Sequence, residues 1–324
     1  MFKDYGGTAA KSSFIPLRGA GMSTTIEQAI ARIPSWGRAS SLTVTPLSGG
    51  ITNFNYRVDV DGEAFVVRIA ARDAELLGID RQREYRCALA ASRAGVAPEV
   101  VHFLPDEGIM VTRFVPGRPL SRAEMAQPDV MGRVVQSMRR YHSGAAFEGS
   151  FSPFKTIEEY LGVARLKGAP LPHDIDRMHT GIREIEAALR RAQTTIRPCH
   201  NDLWGPNLID DGGQVRIVDW EYAGMGDIYF DLANYAMHCE ASDVQAEALL
   251  RTYFGEVPDS GLARVRLLRI VADLRDALWY MVGLHVVSET TDFVRYAATH
   301  FKRCRQAISD SRLSLWLDAA ARGA

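Results

Sequence analysis

In the first third of the chain, short runs rich in β-branched and apolar residues alternate with polar positions at a period of two, the signature of strands with one buried face. Such runs cover Leu42 to Leu47, Asn55 to Val60 and Glu63 to Ala70, and Asp61-Gly62 suits a type I′ hairpin turn between the last two. The segment Arg81 to Arg93 reads as a helix that ends at Gly95, with Pro98 preventing its resumption. Two further strands, Glu99 to Phe103 and Gly108 to Phe114, flank a turn at Asp106-Glu107. Five strands and one inserted helix therefore make a small antiparallel lobe spanning residues 24–115. Ahead of it, Ser23-Thr24-Thr25 caps a short helix from Ile26 to Ile33, and residues 1–23, without periodicity, are expected to form a disordered arm. The rest, 116–324, is mainly helical. Its longest pattern follows Ser260 and buries Leu267, Val271, Leu274, Leu278 and Met281 in steps of four and three, with Asp276, Tyr280 and Gly283 on a neighbouring face and Trp279 between.

One stretch breaks the helical pattern and carries the chemistry. Between Asn207 and Asp219 the chain reads as two short strands, Leu208-Ile209 and Val215 to Val218, joined by the polar turn Asp210-Asp211-Gly212-Gly213. A hairpin brings its ends together, so Asn207 and Asp219 are expected to reach one ion. Magnesium takes a few hard oxygen ligands and keeps several waters, so an amide, a carboxylate and nucleotide phosphates suffice. Five residues before Asn207, Asp202 offers the carboxylate that phosphoryl transfer needs beside an attacking hydroxyl, and His200 is assigned to bracing the loop. The turn-forming habit of Asn and Asp is the plainer explanation for any one of these residues, and it does not account for the set.

Composition narrows the choice of partners. The chain has 324 residues, 47% of them hydrophobic, and 38 basic against 39 acidic residues, so no overall field favours nucleic acid or an anionic membrane. Cys87, Cys199, Cys239 and Cys304 form no C-x-x-C pair, which argues against zinc or a redox motif. No apolar run has the length of a membrane span and no signal-peptide core is present, so a cytoplasmic location is expected.

Two features of the first lobe suit a nucleotide. The turn Ser48-Gly49-Gly50-Ile51-Thr52-Asn53 allows backbone N–H groups close to phosphates, with Ser48, Thr52 and Asn53 adding donors. Arg68 interrupts the apolar run Phe65-Val66-Val67-Arg68-Ile69 and needs a partner, for which Glu84 on the next helix is the natural choice.

Taken in this order, the glycine turn, strand cation, helix glutamate, H-x-D-x-x-x-x-N loop and later aspartate resemble the protein-kinase-like small-molecule phosphotransferases. The wording LSGGITNFNYRV, FVVRI, CHNDLWGPNL and IVDWEYAGMGDIYFDLAN is most similar to the choline/ethanolamine kinase branch, over residues from about 40 to about 305. The resemblance implies an α+β fold of two lobes with ATP and Mg2+ between them. It implies that Asp202 is the catalytic carboxylate, that Asn207 and Asp219 hold the metal, and that Arg68 and Glu84 position phosphate. It further implies that Thr112, Arg113, Phe114 and Val115 form the hinge that meets adenine, and that Asp231 braces the catalytic loop. No A-P-E signature follows Asp219-Trp220-Glu221, which disfavours a protein substrate. The acceptor is then a small cationic alcohol, choline or ethanolamine first, with thiamine, an aminoglycoside or another amino alcohol as alternatives. A pocket for it calls for aromatic faces and carboxylates, and Trp220, Glu221, Tyr222, Tyr229, Phe230, Trp279 and Tyr280 are the candidates. A nucleotide-binding regulator without turnover is the alternative of another class, and a homodimer stays open.

Overall fold

The computed structural model describes residues 24–47, 52–71, 74–192, 195–286 and 292–322. The expected arm at 1–23 and the turn residues Ser48, Gly49 and Gly50 lie outside the described residues. A helix α1 (Ile26–Ala31) opens the ordered chain, its Thr25 and Gln28 forming a reciprocal capping box. Five antiparallel strands follow, β1 (Leu42–Leu47), β2 (Asn53–Val60), β3 (Glu63–Ala70), β4 (Val100–Leu104) and β5 (Ile109–Arg113), in the spatial order β1-β2-β3-β5-β4. Strand β2 begins two residues earlier than its pattern implies, because Asn53 pairs with Ala70. The hairpin at Asp61 and Gly62 has φ of 50° and 89°, the two positive values a type I′ turn demands.

Alternation along β3 decides the two faces of the sheet. Phe65, Val67 and Ile69 are buried with Ile26, Ala29, Ile33 and Trp36 in the core of the amino-terminal lobe. Arg68 is on the opposite face, towards α2 (Arg81–Arg93), whose Cys87, Ala88 and Ala91 belong to the core of the second lobe. A cation in an apolar strand therefore faces the junction of the lobes rather than a sheet edge.

Beyond β5, the short strand β6 (Arg118–Pro119) and helices α3 (Arg122–Met125), α4 (Pro128–His142), α5 (Pro153–Leu166) and α6 (Ile175–Leu189) lead into the catalytic stretch. There β7 (Ile196–Cys199) pairs with β10 (Gly224–Asp227), and β8 (Leu208–Asp210) lies between β6 and β9 (Val215–Ile217). Helices α7 (Ile228–His238), α8 (Asp243–Phe254), α9 (Gly261–Gly283), α10 (Phe293–Ile308) and α11 (Leu313–Ala321) complete the chain. Helix α9 is buried at every residue from Ile270 to Leu278 and packs against α5, α7 and α10, which makes it the axis of the second lobe. Among the described residues no helix is long and apolar enough to cross a membrane.

The turn after Trp204 is held against β6, where the Leu120 N–H donates to the carbonyls of Gly205 and Leu208. A Cβ on Gly205 would be forced onto the Leu120 carbonyl oxygen, backbone against backbone. Gly205→Ala is expected to lower unfolding free energy by about 1–3 kcal/mol, read as a lower urea midpoint. An unchanged midpoint would mean that the Leu120 segment yields without cost.

Candidate active site

The loop from His200 to Asn207 takes its shape from one buried carboxylate. Asp231, on α7, accepts hydrogen bonds from Tyr141 Oη at 2.6 Å, His142 Nε2 at 3.0 Å and the backbone N–H groups of His200 at 2.9 Å and Asn201 at 2.6 Å. Burial works to raise its pKa, but these donors, His142 foremost, outweigh it and hold the carboxyl below the usual range. The anchored loop then turns sharply, with Asn201 at φ 68°. His200 is wholly buried, accepts from the Asp202 N–H at Nδ1 and donates from Nε2 to the Val218 carbonyl, so burial keeps it neutral while it ties the loop to the end of β9.

Asp202 emerges from this loop with 21% of its side chain exposed. One carboxylate oxygen accepts from Asn207 Nδ2 at 3.1 Å and the other from Arg275 Nη2 at 3.3 Å. Burial pushes its pKa up to about 7, with Arg275 pulling it back down. The hairpin β8–β9 closes as its pattern implies, and the Val218 N–H donates to the Asn207 carbonyl at 3.0 Å, which sets Asn207 and Asp219 side by side at its open end. Asp219 has φ 65° and pairs with Arg68 Nη1 at 2.6 Å, while Arg68 Nη2 pairs with Glu84.

Carboxylate oxygens of Glu84, Asp219 and Glu221 lie within 4.8 Å of one another. Arg68 and Arg81 stand among them, Arg81 Nη1 at 2.9 Å from Glu84 and 3.2 Å from Glu221. Three carboxylates share two guanidiniums here, and such a set of hard oxygen donors suits a divalent cation.

Several expectations need correction. Trp220 does not line a pocket: its ring packs edge-on against Tyr141, Phe147 and His200, and its Nε1–H donates to the Ile217 carbonyl. Phe230 is fully buried beside Phe151, and Tyr229 packs on Phe254 and under Arg264, because α7 is buried on all sides from Ile228 to Met237 and has no open face. Glu221 faces the first lobe, accepting from Thr52 Oγ1 at 3.1 Å and Asn53 Nδ2 at 3.3 Å, with its pKa raised by burial and by Asp219. Those same bonds remove Thr52 and Asn53, both buried, from the expected phosphate donors. In the hinge, the N–H groups of Arg113 and Phe114 are spent on the carbonyls of Glu99 and Ala64, and Arg113 pairs outward with Glu63 and Glu99. Thr112 lies within the sheet opposite Val66.

Tyr222 is buried in the core of the second lobe and meets α9 through its hydroxyl. Trp279 Nε1 donates to Tyr222 Oη at 2.7 Å, and Trp279 and Tyr280, both half-buried, stack edge-on with Phe293, Tyr296 and His300 near them. Three groups of the site escaped the motifs: Arg81, Arg275 and Asp276. The signal that exposed Arg68, a charge inside an apolar run, was equally present at Arg275-Asp276 in Ala272-Asp273-Leu274-Arg275-Asp276-Ala277-Leu278.

Residues 43–268 match the model of the phosphotransferase enzyme family. The chain belongs to that family. A crystal structure of a choline/ethanolamine kinase family protein from Mesorhizobium loti matches it with a TM-score of 0.79 and 32% identity, over 91% of this chain and 97% of that one, which places it in the choline/ethanolamine kinase family as well. Protein LicA of Haemophilus influenzae is 28% identical over 242 residues, 72% of this chain and 70% of LicA. The choline kinase LicA of Streptococcus pneumoniae shares the fold, with a TM-score of 0.73 at 21% identity over 87% of this chain and 98% of its own. The chain is thus a small-molecule kinase of two lobes.

Asp231→Asn turns an amide nitrogen towards at least one of four donors, and each donor stranded in this way costs about 1–3 kcal/mol. Because the folded pKa of Asp231 is below the unfolded value of about 3.9, its ionised form contributes stability above that pH and loses it as pH falls through the folded value. The stability gap between wild type and Asp231→Asn should therefore be full at neutral pH and narrow below about pH 4. A gap independent of pH in chemical denaturation would show that the carboxylate's charge contributes nothing.

Proposed function

We propose that this kinase transfers the γ-phosphoryl group of ATP to the hydroxyl of a small cationic amino alcohol, choline or ethanolamine. The observation that carries this reading is the Asp202 carboxylate, gripped between Asn207 and Arg275 with part of its side chain left exposed. Asp202 orients the acceptor hydroxyl and takes its proton as the new P–O bond forms. Arg68, held by Glu84, can exchange Asp219 for phosphate oxygens. Adenine sits against Val115.

Asn207 and Asp219 would hold Mg2+. The amide nitrogen of Asn207 is committed to Asp202, which leaves its oxygen as the ligand, and the carboxylate oxygens gathered around Asp219 suit a divalent ion. When bound, the ion neutralises charge on the phosphates.

The acceptor side supports a cation. Asp202 and Asp276 share a single guanidinium, Arg275, and burial drives His238 beside Asp276 down to about 3, which keeps it neutral, so a cationic acceptor would favour the ionised form of Asp202. Tyr222, Trp279 and Tyr280 supply aromatic faces of the kind a quaternary or primary ammonium prefers. Relatives named as choline kinase and choline/ethanolamine kinase agree with this chemistry.

Coupled measurement of ADP release over a panel of choline, ethanolamine, thiamine and an aminoglycoside should give acceptor-dependent turnover with choline or ethanolamine first. Preference for thiamine or the aminoglycoside would move the acceptor within the same chemistry, and no turnover with ATP binding intact would favour a regulator. Asp202→Ala should lose about 10²- to 10⁴-fold in kcat while ATP with magnesium still raises its Tm. Asp219→Ala should instead lose the magnesium-dependent part of that rise.

A further inference from the structure

Arg275 lies in the most enclosed part of α9, with 3% of its side chain exposed. A guanidinium there must satisfy its five N–H donors inside the protein. A structural ion pair with the adjacent Asp276 would account for part of this, with Nε at 2.7 Å and Nη2 at 2.6 Å from Oδ1. The remaining donors leave the helix altogether. Nη1 reaches the carbonyl oxygen of Asn201 at 3.2 Å and Nη2 the carboxylate of Asp202 at 3.3 Å, and the guanidinium lies 5.6 Å from the centre of the Tyr222 ring. Asn201 is the residue at which the loop takes its left-handed turn, so its carbonyl direction governs where Asp202 points. The other carboxylate oxygen is held by Asn207, leaving rotation of Asp202 restrained at both ends.

We propose that Arg275 is a positioning residue for phosphoryl transfer, fixing through Asn201 and Asp202 the orientation in which the carboxylate meets the acceptor hydroxyl, and coupling that orientation to the helix bearing Trp279 and Tyr280. The assignment rests on Asp202 being the carboxylate that faces the acceptor. Lysine cannot replace the fork: an ammonium satisfies Asp276 or the loop, but has no planar set of donors to serve three acceptors at once.

The test compares Arg275→Lys, the double variant Arg275→Met/Asp276→Leu, which removes the Arg275–Asp276 ion pair as a unit, Asp276→Asn, which leaves the guanidinium on the loop, and Asp202→Ala. Arg275→Lys and the double variant should lose about 10- to 100-fold in kcat at saturating acceptor, the scale expected for a misplaced catalytic group. The KM for ATP should stay within about twofold of wild type, and Asp276→Asn should retain more kcat than either. A purely structural Arg275 would lower Tm and leave kcat per folded molecule intact. Wild-type kcat in folded Arg275→Lys and in the double variant, with Asp202→Ala inactive, overturns the proposal and leaves the role of Asp202 standing. Wild-type turnover in Asp202→Ala overturns that role itself.

Discussion

Like charges repel, and this fold gathers five carboxylates, Glu84, Asp202, Asp219, Glu221 and Asp276, around the junction of its lobes. Three guanidiniums make that possible. Arg68 and Arg81 stand among the first group, Arg275 between Asp202 and Asp276, and each bridges two or more acceptors. Removing any one of the three guanidiniums would leave buried carboxylates short of a partner, which costs far more than a single pair contributes. The arrangement is therefore held less by the strength of single bonds than by the penalty for leaving any member alone. Five carboxylates thus share three guanidiniums, and burial raises Asp202 and Glu221 to about 7, so a cation bound on either side would favour their ionised forms.

The lobes are joined by the same groups. Glu221 on the second lobe collects Thr52, Asn53 and Arg81 from the first, and Arg68 spans from β3 to Asp219. On the proposed reading, engagement of a triphosphate by Arg68 would take place at the expense of its bond to Asp219, just where a metal would compensate that carboxylate. Nucleotide and ion are linked through one exchange of partners, so each should favour the binding of the other.

Strands, hairpins and the order of the chemical residues were legible because they rest on local rules. A period of two marks β2 and β3, positive φ marks Asp61-Gly62, and a hairpin needs no tertiary information to bring Asn207 near Asp219. Arg68 and Glu84 were legible for a different reason: a charge in an apolar strand advertises its need for a partner. The failures share a cause too. Trp220 and Phe230 were placed at the pocket because they follow the metal aspartate in sequence, but neighbours on a strand or helix point in different directions, and Ile228-Tyr229-Phe230-Asp231-Leu232-Ala233-Asn234-Tyr235 is apolar nearly all round, the mark of a helix buried on every side. Thr52 and Asn53 were misassigned because a turn rich in donors does not say which acceptor it serves, and Glu221 is distant by more than 160 positions.

Arg275 is the instructive case because its own residue type carried the information. Its helix has so much apolar surface that the periodic reading accounts for the segment without it, and a charge then passes as an exposed face. Burial of the whole helix removes that option, since no face is exposed between Ile270 and Leu278. A guanidinium at such a position is costly unless its acceptors are already in place, and here they are the turn at Asn201 and the carboxylate at Asp202, whose own positions depend on Asp231 beneath them. Geometry at the reacting oxygen is thus set from below by α7 and from the side by α9. The same helix α9 carries Trp279 and Tyr280, so on the proposed reading a change in the shape of the acceptor would bear on the orientation of Asp202 through one helix.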